Sequence, residues 1–369
     1  MSHKKEQYSE MFKQYCKGAN SVRIFAEFLF KNILPAVEEA IYNRTNLQII
    51  NIMKCKNPAF NGNKCNLENH ILRYLADQEQ FKLYTEYIDN PKLYFKNFIG
   101  EHVETFCKDH KKLQDMLHGN LAEIKACISH TSTEVSEEVN LKNGNASMWL
   151  NHFCKKLGDH MVINRQSLTS IQDEEISDTK FLKEMMAKYL EEVVKSKNMK
   201  SMKSVDASSQ HLCLLKQKIT EILFKQLEGC WAQCPFCKAT CTNTICNHKG
   251  DHSVQFHRSS AIGHSYYHKT DEFTNDFCTT NVSSNGSFII LACKKRFPYK
   301  SYRRGGDPYD KWSITADGST QGYWKWFVCR FQKEWEDRCG YKFKGKGVIP
   351  DSWRKITKES VLEELNIRD

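Results

Sequence analysis

The sequence predicts a mainly α protein: an N-terminal helical bundle followed by a small α+β C-terminal domain. Three observations carry this reading. Apolar residues recur at helical steps up to about residue 228. That periodicity stops after Gly229, where Gly, Asn, His and aromatic residues rise. A Cys-x-x-Cys turn, Cys234-Pro-Phe-Cys237, then follows, with His252 and His257 downstream. A chain of 369 residues has room for two or three domains with real cores. With 40% hydrophobic and 12% aromatic residues it is globular rather than disordered. The expected division is a helical domain over 1–228, with a Ser/Lys-rich loop or linker at 195–209, and an α+β domain over 229–369.

The helical elements can be read in order. Val22, Phe25, Ala26, Leu29, Ile33 and Val37 recur every three or four residues, the stripe of an amphipathic helix. Phe28 and Phe30 lie off that stripe, so this helix is apolar on more than one face and must be covered on several sides. Pro35 should kink or restart it. Lys56–Asn63 reads as a loop, and Asn63 or Asn66 can cap the next helix, whose face is Leu67, Ile71, Leu72 and Leu75. Asn90-Pro91 marks another start. Further helices are expected over 113–139, 146–158, 178–196 and 207–228. Beyond Gly229, Asn285-Gly286 before Phe288-Ile-Ile-Leu291 predicts a strand or hairpin. Trp324, Phe327, Val328, Phe331 and Trp335 line one face of a helix over Tyr323–Cys339, where they serve core packing. Thr357 opens a last short helix carrying Val361, Leu362 and Leu365.

The chemistry concentrates in the Cys/His stretch. One tight turn presents the sulfurs of Cys234 and Cys237 to a single ion, and His252 and His257 complete a tetrahedron. The expected cofactor is therefore one structural zinc ion held by these four residues, which makes the C-terminal domain zinc-containing. Cys230, Cys241, Cys246 and His248 crowd the same segment, and Cys241 and His248 stand as alternative ligands. The competing reading is a reduced cysteine cluster with no metal. Asp251 is the nearby carboxylate, suited to orient an imidazole or simply to face solvent. Four protein ligands describe a closed, structural ion rather than a catalytic one with an open position.

Charge and missing motifs narrow the classes. The net charge is +10, of which +7 falls in residues 231–369 and +3 in residues 1–230. It is densest at Lys294, Lys295, Arg296, Lys300, Arg303 and Arg304, with Phe297, Tyr299 and Tyr302 interleaved. Such a cluster can contact an acidic partner or nucleic acid, or be a solvated loop, and the solvated loop is the favoured reading. Gly340–Lys346 matches only part of a phosphate-binding loop, because Gly347 stands where a magnesium-binding Ser or Thr belongs. No nucleotide is expected in this chain. There is no G-x-S-x-G and no H-E-x-x-H. No run approaches the roughly twenty apolar residues of a membrane span, and the N-terminus has no apolar signal core. Sixteen scattered cysteines without a secretory signal fit a reducing compartment, so the cytoplasm is expected, with the nucleus as a second location.

Longer stretches carry a family resemblance. Gln233–Thr244 and Gly250–Arg258, Tyr323–Gln332 and Ile349–Lys355 resemble the C-terminal region of the interferon-induced very large GTPases. So do Ile24–Leu29, Asn57–Asn63 and Asn66–Leu72 in the helical part. The resemblance implies kinship with GTP-binding immune proteins whose guanine-nucleotide domain lies upstream of this region, and it does not imply GTPase activity in these residues. Three classes of function then compete. The leading one is a zinc-stabilised scaffold that assembles with an upstream GTPase portion or with itself. The others are a nucleic-acid-binding module using the basic cluster, and a zinc or thiol enzyme.

Overall fold

The computed structural model describes residues 2–142, 144–158, 160, 161, 163, 184–189, 210–254, 256–290, 293–317 and 322–366. Helices dominate, as the periodicity requires. They are α1 (Ser2–Lys56), α2 (Lys64–Gln78), α3 (Phe81–Asp89), α4 (Pro91–Cys107), α5 (His110–Leu141), α6 (Ala146–Leu157) and α7 (Gln210–Leu227). After the Cys/His region come a short helical turn α8 (Cys278–Asn281), strands β1 (Ser287–Ile290) and β2 (Lys295–Pro298), and helices α9 (Gly322–Arg330), α10 (Gln332–Cys339), α11 (Asp351–Arg354) and α12 (Lys358–Asn366). The fold is mainly α with an α+β C-terminal part, as the sequence predicts. The expected 178–196 helix falls mostly outside the described residues, of which 184–189 are helical, and the expected linker 195–209 lies outside them.

Local chemistry explains the element ends. Asn63, not Asn66, caps α2, its side chain accepting from the amides of Cys65 and Asn66. Asn66 instead donates back to the carbonyls of Pro58 and Asn61, closing the loop ahead of the helix. Asn90 accepts from the Leu93 amide and opens α4 at Pro91. Thr357 caps α12 through the Ser360 amide. Helix α1 runs through Pro35 without restarting there. One expectation changes. The Tyr323–Cys339 helix is two helices, because Phe331 leaves helical geometry at φ −115°, ψ 29°.

The chain forms two compact units, Met1–Ile52 with Val103–Ile219, and Met53–His102 with Thr220–Asp369. This corrects the single cut at 228/229, since residues 53–102 belong with the C-terminal region. The reason is an aromatic core assembled from distant segments. Tyr84 packs on Phe327 and Phe331 at ring distances of 4.8 and 5.2 Å, and Phe95 meets Trp231 edge-on at 5.1 Å. The Tyr84 and Tyr323 hydroxyls lie 2.9 Å apart, and Tyr323 donates to the Leu72 carbonyl. The whole Trp324–Trp335 stripe is buried, so its role is core packing.

The first unit is built on α1, α5 and α6. Ala26, Leu29, Ile33, Val37 and Ile41 are buried against Ile124, Ile128, Val135 and Trp149. Asn120 on α5 donates to Thr45 and Gln48 on α1, satisfying a polar group inside that interface. Phe30 is 6% exposed, and Phe28 is partly buried against the same core. A charge at Phe28 would therefore sit against apolar neighbours. Phe28→Glu is expected to cost about 2–3 kcal/mol of this unit's stability, read by thermal denaturation. A variant of unchanged stability that elutes as a smaller species would instead make Phe28 an interface residue.

Candidate metal centre

The segment after α7 folds as a hairpin. Cys230 donates its amide to the Asn243 carbonyl, Cys241 to Ala232, and Cys234 to Ala239, with Gln233 bridging Thr240. The tip is a tight turn in which the Lys238 amide returns to the Cys234 carbonyl and Lys238 adopts φ +60°. This turn aims the Cys234 and Cys237 sulfurs the same way. Phe236, between them, points into an aromatic cluster of Phe288, Tyr299, Tyr302 and Tyr309 at 5.0–6.0 Å. Gly263 passes so close to the Phe236 carbonyl that no side chain fits there.

Two further strands of chain complete the tip. Ser259 bridges Phe277, and Ser260 donates both its amide and its hydroxyl to the Asp276 carbonyl. That pairing carries His257 on one side and Cys278, the first residue of α8, on the other. Arg258 anchors the first side: its guanidinium lies beside the rings of both Tyr87 and Trp324, 5.0 and 4.8 Å from their centres. The result is a fully buried group, Cys234, Cys237, His257 and Cys278, whose ligand atoms all lie within 4.8 Å of one another. Cys278 Sγ is 4.0 Å from Cys234 Sγ and 2.8 Å from His257 Nδ1, and Cys237 Sγ is 3.4 Å from the same nitrogen. Tetrahedral zinc, with bonds of about 2.3 Å to sulfur and 2.0–2.1 Å to nitrogen, needs edges of about 3.8 Å between sulfurs and 3.5 Å between sulfur and nitrogen. Two of the three distances fall near those values, and the third needs a shift of less than an ångström.

Electrostatics favour a cation here. Burial, joined by the Cys237 thiol, pushes the Cys234 and Cys278 thiols well above the ordinary thiol range. Burial opposes ionisation of Cys237 too, but hydrogen bonds from Cys234, Cys278 and His257 overcome it and hold this thiol well below that range. One thiolate is thus favoured and two are suppressed. A divalent ion reverses that suppression, because coordination stabilises the thiolate form. With three sulfurs and one nitrogen the residues fit zinc, and no ligand position is left open.

A second group sits at the stem of the same hairpin: Cys230, Cys241, His248 and His252, again with ligand atoms within 4.8 Å of each other. The four residues expected to share one ion are thus divided. Cys234, Cys237 and His257 meet at the tip with Cys278, whereas His252 lies at the stem with Cys230, Cys241 and His248. The backbone dictates this. His252 donates its amide to Lys311 and accepts from Ser313, and its ring lies 5.4 Å from Trp312. Cys241 and His248 are ligand candidates at the stem rather than substitutes at the tip. Cys278 carries no sequence signal beyond its residue type, since it lies far outside the Cys-x-x-Cys spacing. Asp251 pairs with Arg303 through both carboxylate oxygens, and the arginine holds its carboxyl below the usual carboxylate range.

The basic side chains of the 294–304 cluster are all exposed. Lys294, Lys295, Arg296 and Arg304 are exposed on and beside the β1–β2 hairpin, Lys300 donates to Asn285, and Arg303 is engaged by Asp251 and the Asp310 carbonyl. The interleaved aromatics turn inward: Tyr302 is buried and donates to the Trp312 carbonyl, and Phe297 and Tyr299 pack against Phe288. The phosphate-loop-like turn at Gly345–Gly347 lies against the Glu272 carboxylate, an acidic neighbour unsuited to a phosphate. Among the described residues, no helix is long and apolar enough to cross a membrane.

Fold and site together define a mainly α protein whose second unit carries two Cys/His groups. Residues 230–365, which hold both Cys/His groups, match the family described as "Interferon-induced very large GTPase 1, C-terminal domain". Over 99% of its length the chain is similar to "Interferon-induced very large GTPase 1" of Mus musculus, 43% identical over 370 residues. It is likewise similar to the Homo sapiens protein of the same name, 41% identical over 372 residues. Residues 230–365 thus carry that family's C-terminal domain, and the similarity to these two relatives runs over nearly the whole chain. It spans 15% of the length of each of these relatives. No solved structure matches it.

Proposed function

We propose that this chain is a zinc-clamped assembly module of a very large GTPase, with the guanine nucleotide handled outside these residues. The tip group carries the reading: four wholly buried ligands with no open position describe an ion that organises structure rather than one that performs chemistry. The ion would tie the hairpin tip, the His257 segment and α8 into one body. That body also holds the aromatic face shared by α3 and α9. Cytoplasmic residence agrees with a site whose thiols must stay reduced.

The inward-facing aromatics favour assembly over nucleic-acid binding. Single-stranded nucleic acid is gripped by stacking on exposed rings, and here Tyr302 and its neighbours are used internally. The relatives' name makes GTP a direct test. The isolated chain should show no saturable binding of a fluorescent guanine nucleotide at micromolar concentration, since its Gly345–Gly347 turn faces Glu272. Binding abolished by Lys346→Ala would place a nucleotide site here and defeat this reading. In the same preparation, elemental analysis should find bound zinc. A folded chain with none would defeat the zinc clamp itself.

A further inference from the structure

We propose that Cys230, Cys241, His248 and His252 form a second, separately loaded site for a thiophilic divalent cation of the zinc class, one that loses its ion before the tip site does. The geometry is that of a tetrahedron of two sulfurs and two nitrogens. Cys230 Sγ lies 3.4 Å from His252 Nδ1, Cys241 Sγ lies 3.6 Å from His248 Nε2, and the two imidazole nitrogens lie 3.0 Å apart. The sulfur–nitrogen edges expected around zinc are about 3.5 Å, and the nitrogen–nitrogen edge is about 3.3 Å. The two rings stand at 85° to each other, so their nitrogens converge on a point while the ring bodies stay clear.

The sulfurs are placed by the same ladder that forms the tip. Cys230 and Cys241 stand on opposite strands of the stem, and their amides are locked to Asn243 and Ala232. Gly229 lets the chain pass against the Asn243 carbonyl where a side chain would collide. Lys64 of α2 supplies the support behind them. It is 1% exposed, its Nζ donates to the carbonyls of both Cys230 (2.6 Å) and Cys241 (2.8 Å), and it lies 4.2 Å over the Trp231 ring. One buried ammonium therefore holds both cysteine backbones at a fixed separation. It is a positioning residue for the stem site, and groups of this kind commonly govern metal affinity by 10–100-fold.

Exposure separates the two sites. All four tip ligands are buried, while at the stem the cysteines are buried and both histidines are partly exposed. His248 comes from the turn-rich loop between Asn243 and Gly250, which has few backbone hydrogen bonds of its own, so a competing chelator can reach the stem ion by way of the imidazoles. The tip ion has no such route without opening the core. The chain should accordingly bind two ions and release them in order.

This inference rests on the same reading of Cys/His groups as metal sites, and stoichiometry distinguishes the two. Native mass spectrometry of the zinc-loaded full chain should show two zinc ions, the count for two four-ligand sites. A colorimetric chelator should remove them in a fast and a slow phase of equal amplitude. His248→Ala should delete the fast phase and leave the slow one. Lys64→Met should weaken the stem site by about 10–100-fold with the tip site unchanged, whereas a general loss of fold would speed both phases together. Should His248→Ala fail to fold, cobalt(II) titration of the wild type replaces it. Two equivalents should be taken up in sequence, with the distinct absorption of a three-thiolate, one-imidazole site and a two-thiolate, two-imidazole site. One ion per chain, saturating after one equivalent, overturns the second site while leaving the tip site standing. No ion at all defeats both.

Discussion

Cys237→Ser is expected to remove the tip ion and unfold much of the unit formed by residues 53–102 and 220–369. The sulfur is completely buried, and the turn that presents it is held by only two backbone hydrogen bonds within residues 234–239. Structural zinc contributes about 10–16 kcal/mol in small zinc domains, as much as the roughly 5–15 kcal/mol of net stability that an ordinary domain possesses. Losing the ion would therefore exceed what the remaining contacts hold. Serine also leaves its hydroxyl beside Cys234, Cys278 and His257 in an apolar site, a further cost of about 1–3 kcal/mol. The expected result is loss of bound zinc and of near-ultraviolet circular dichroism, with hydrogen-exchange protection falling across 230–290. Cys293→Ser is the control: Cys293 is exposed and belongs to neither group, and its replacement should leave the zinc content unchanged. Unchanged zinc content in Cys237→Ser would remove this residue from the ligand set. Cys278→Ser should match Cys237→Ser, although no sequence spacing links the two.

That equivalence marks where sequence legibility ends. Helix starts were readable because they depend on neighbours: Asn90 before Pro91 and Thr357 before Ser360 satisfy their own backbone within a turn. The Cys-x-x-Cys knuckle was readable for the same reason. His252 and His257 both stand in Cys/His groups, but only the fold decides which cysteines each one meets. Four residues of chain separate them, enough for His252 to be clamped between Lys311 and Ser313 while His257 turns toward α8. The partner of a long-range pair leaves no local trace, which is why Cys278 went unsignalled. The same reason explains why residues 53–102 looked like part of an N-terminal bundle. Their buried aromatics, Tyr84 and Tyr87, find their partners in Phe327, Phe331 and Trp324, more than two hundred residues away in sequence.

Trp149→Ala is expected to produce the largest loss in the helical unit. The indole is completely buried between α5 and α6 and stacks on Phe153 at 4.6 Å. Its Nε1 donates to the Ser136 hydroxyl, which in turn donates to the Ser132 carbonyl one turn back on α5. Truncating a buried aromatic to alanine costs about 3–5 kcal/mol, because the lost transfer free energy is joined by an unfilled cavity. Here the rigid neighbours Leu150, Phe153, Val135 and Val139 are all buried and offer little collapse. Ser136 also loses a partner inside the core, so the upper end of that range is the expectation. Trp149→Phe separates the two contributions. It keeps an aromatic ring in the stack but drops the indole donor, and it should cost about 1–2 kcal/mol. Hydrogen exchange over residues 110–157 is the suitable measurement, because it reads this helix pair independently of the metal-bearing unit. Protection there should fall steeply in Trp149→Ala and modestly in Trp149→Phe, while the amides of 230–290 keep their protection and the zinc content stays at the wild-type value. Equal losses in the two variants would mean that the hydrogen bond, rather than the buried ring, holds α6 to α5.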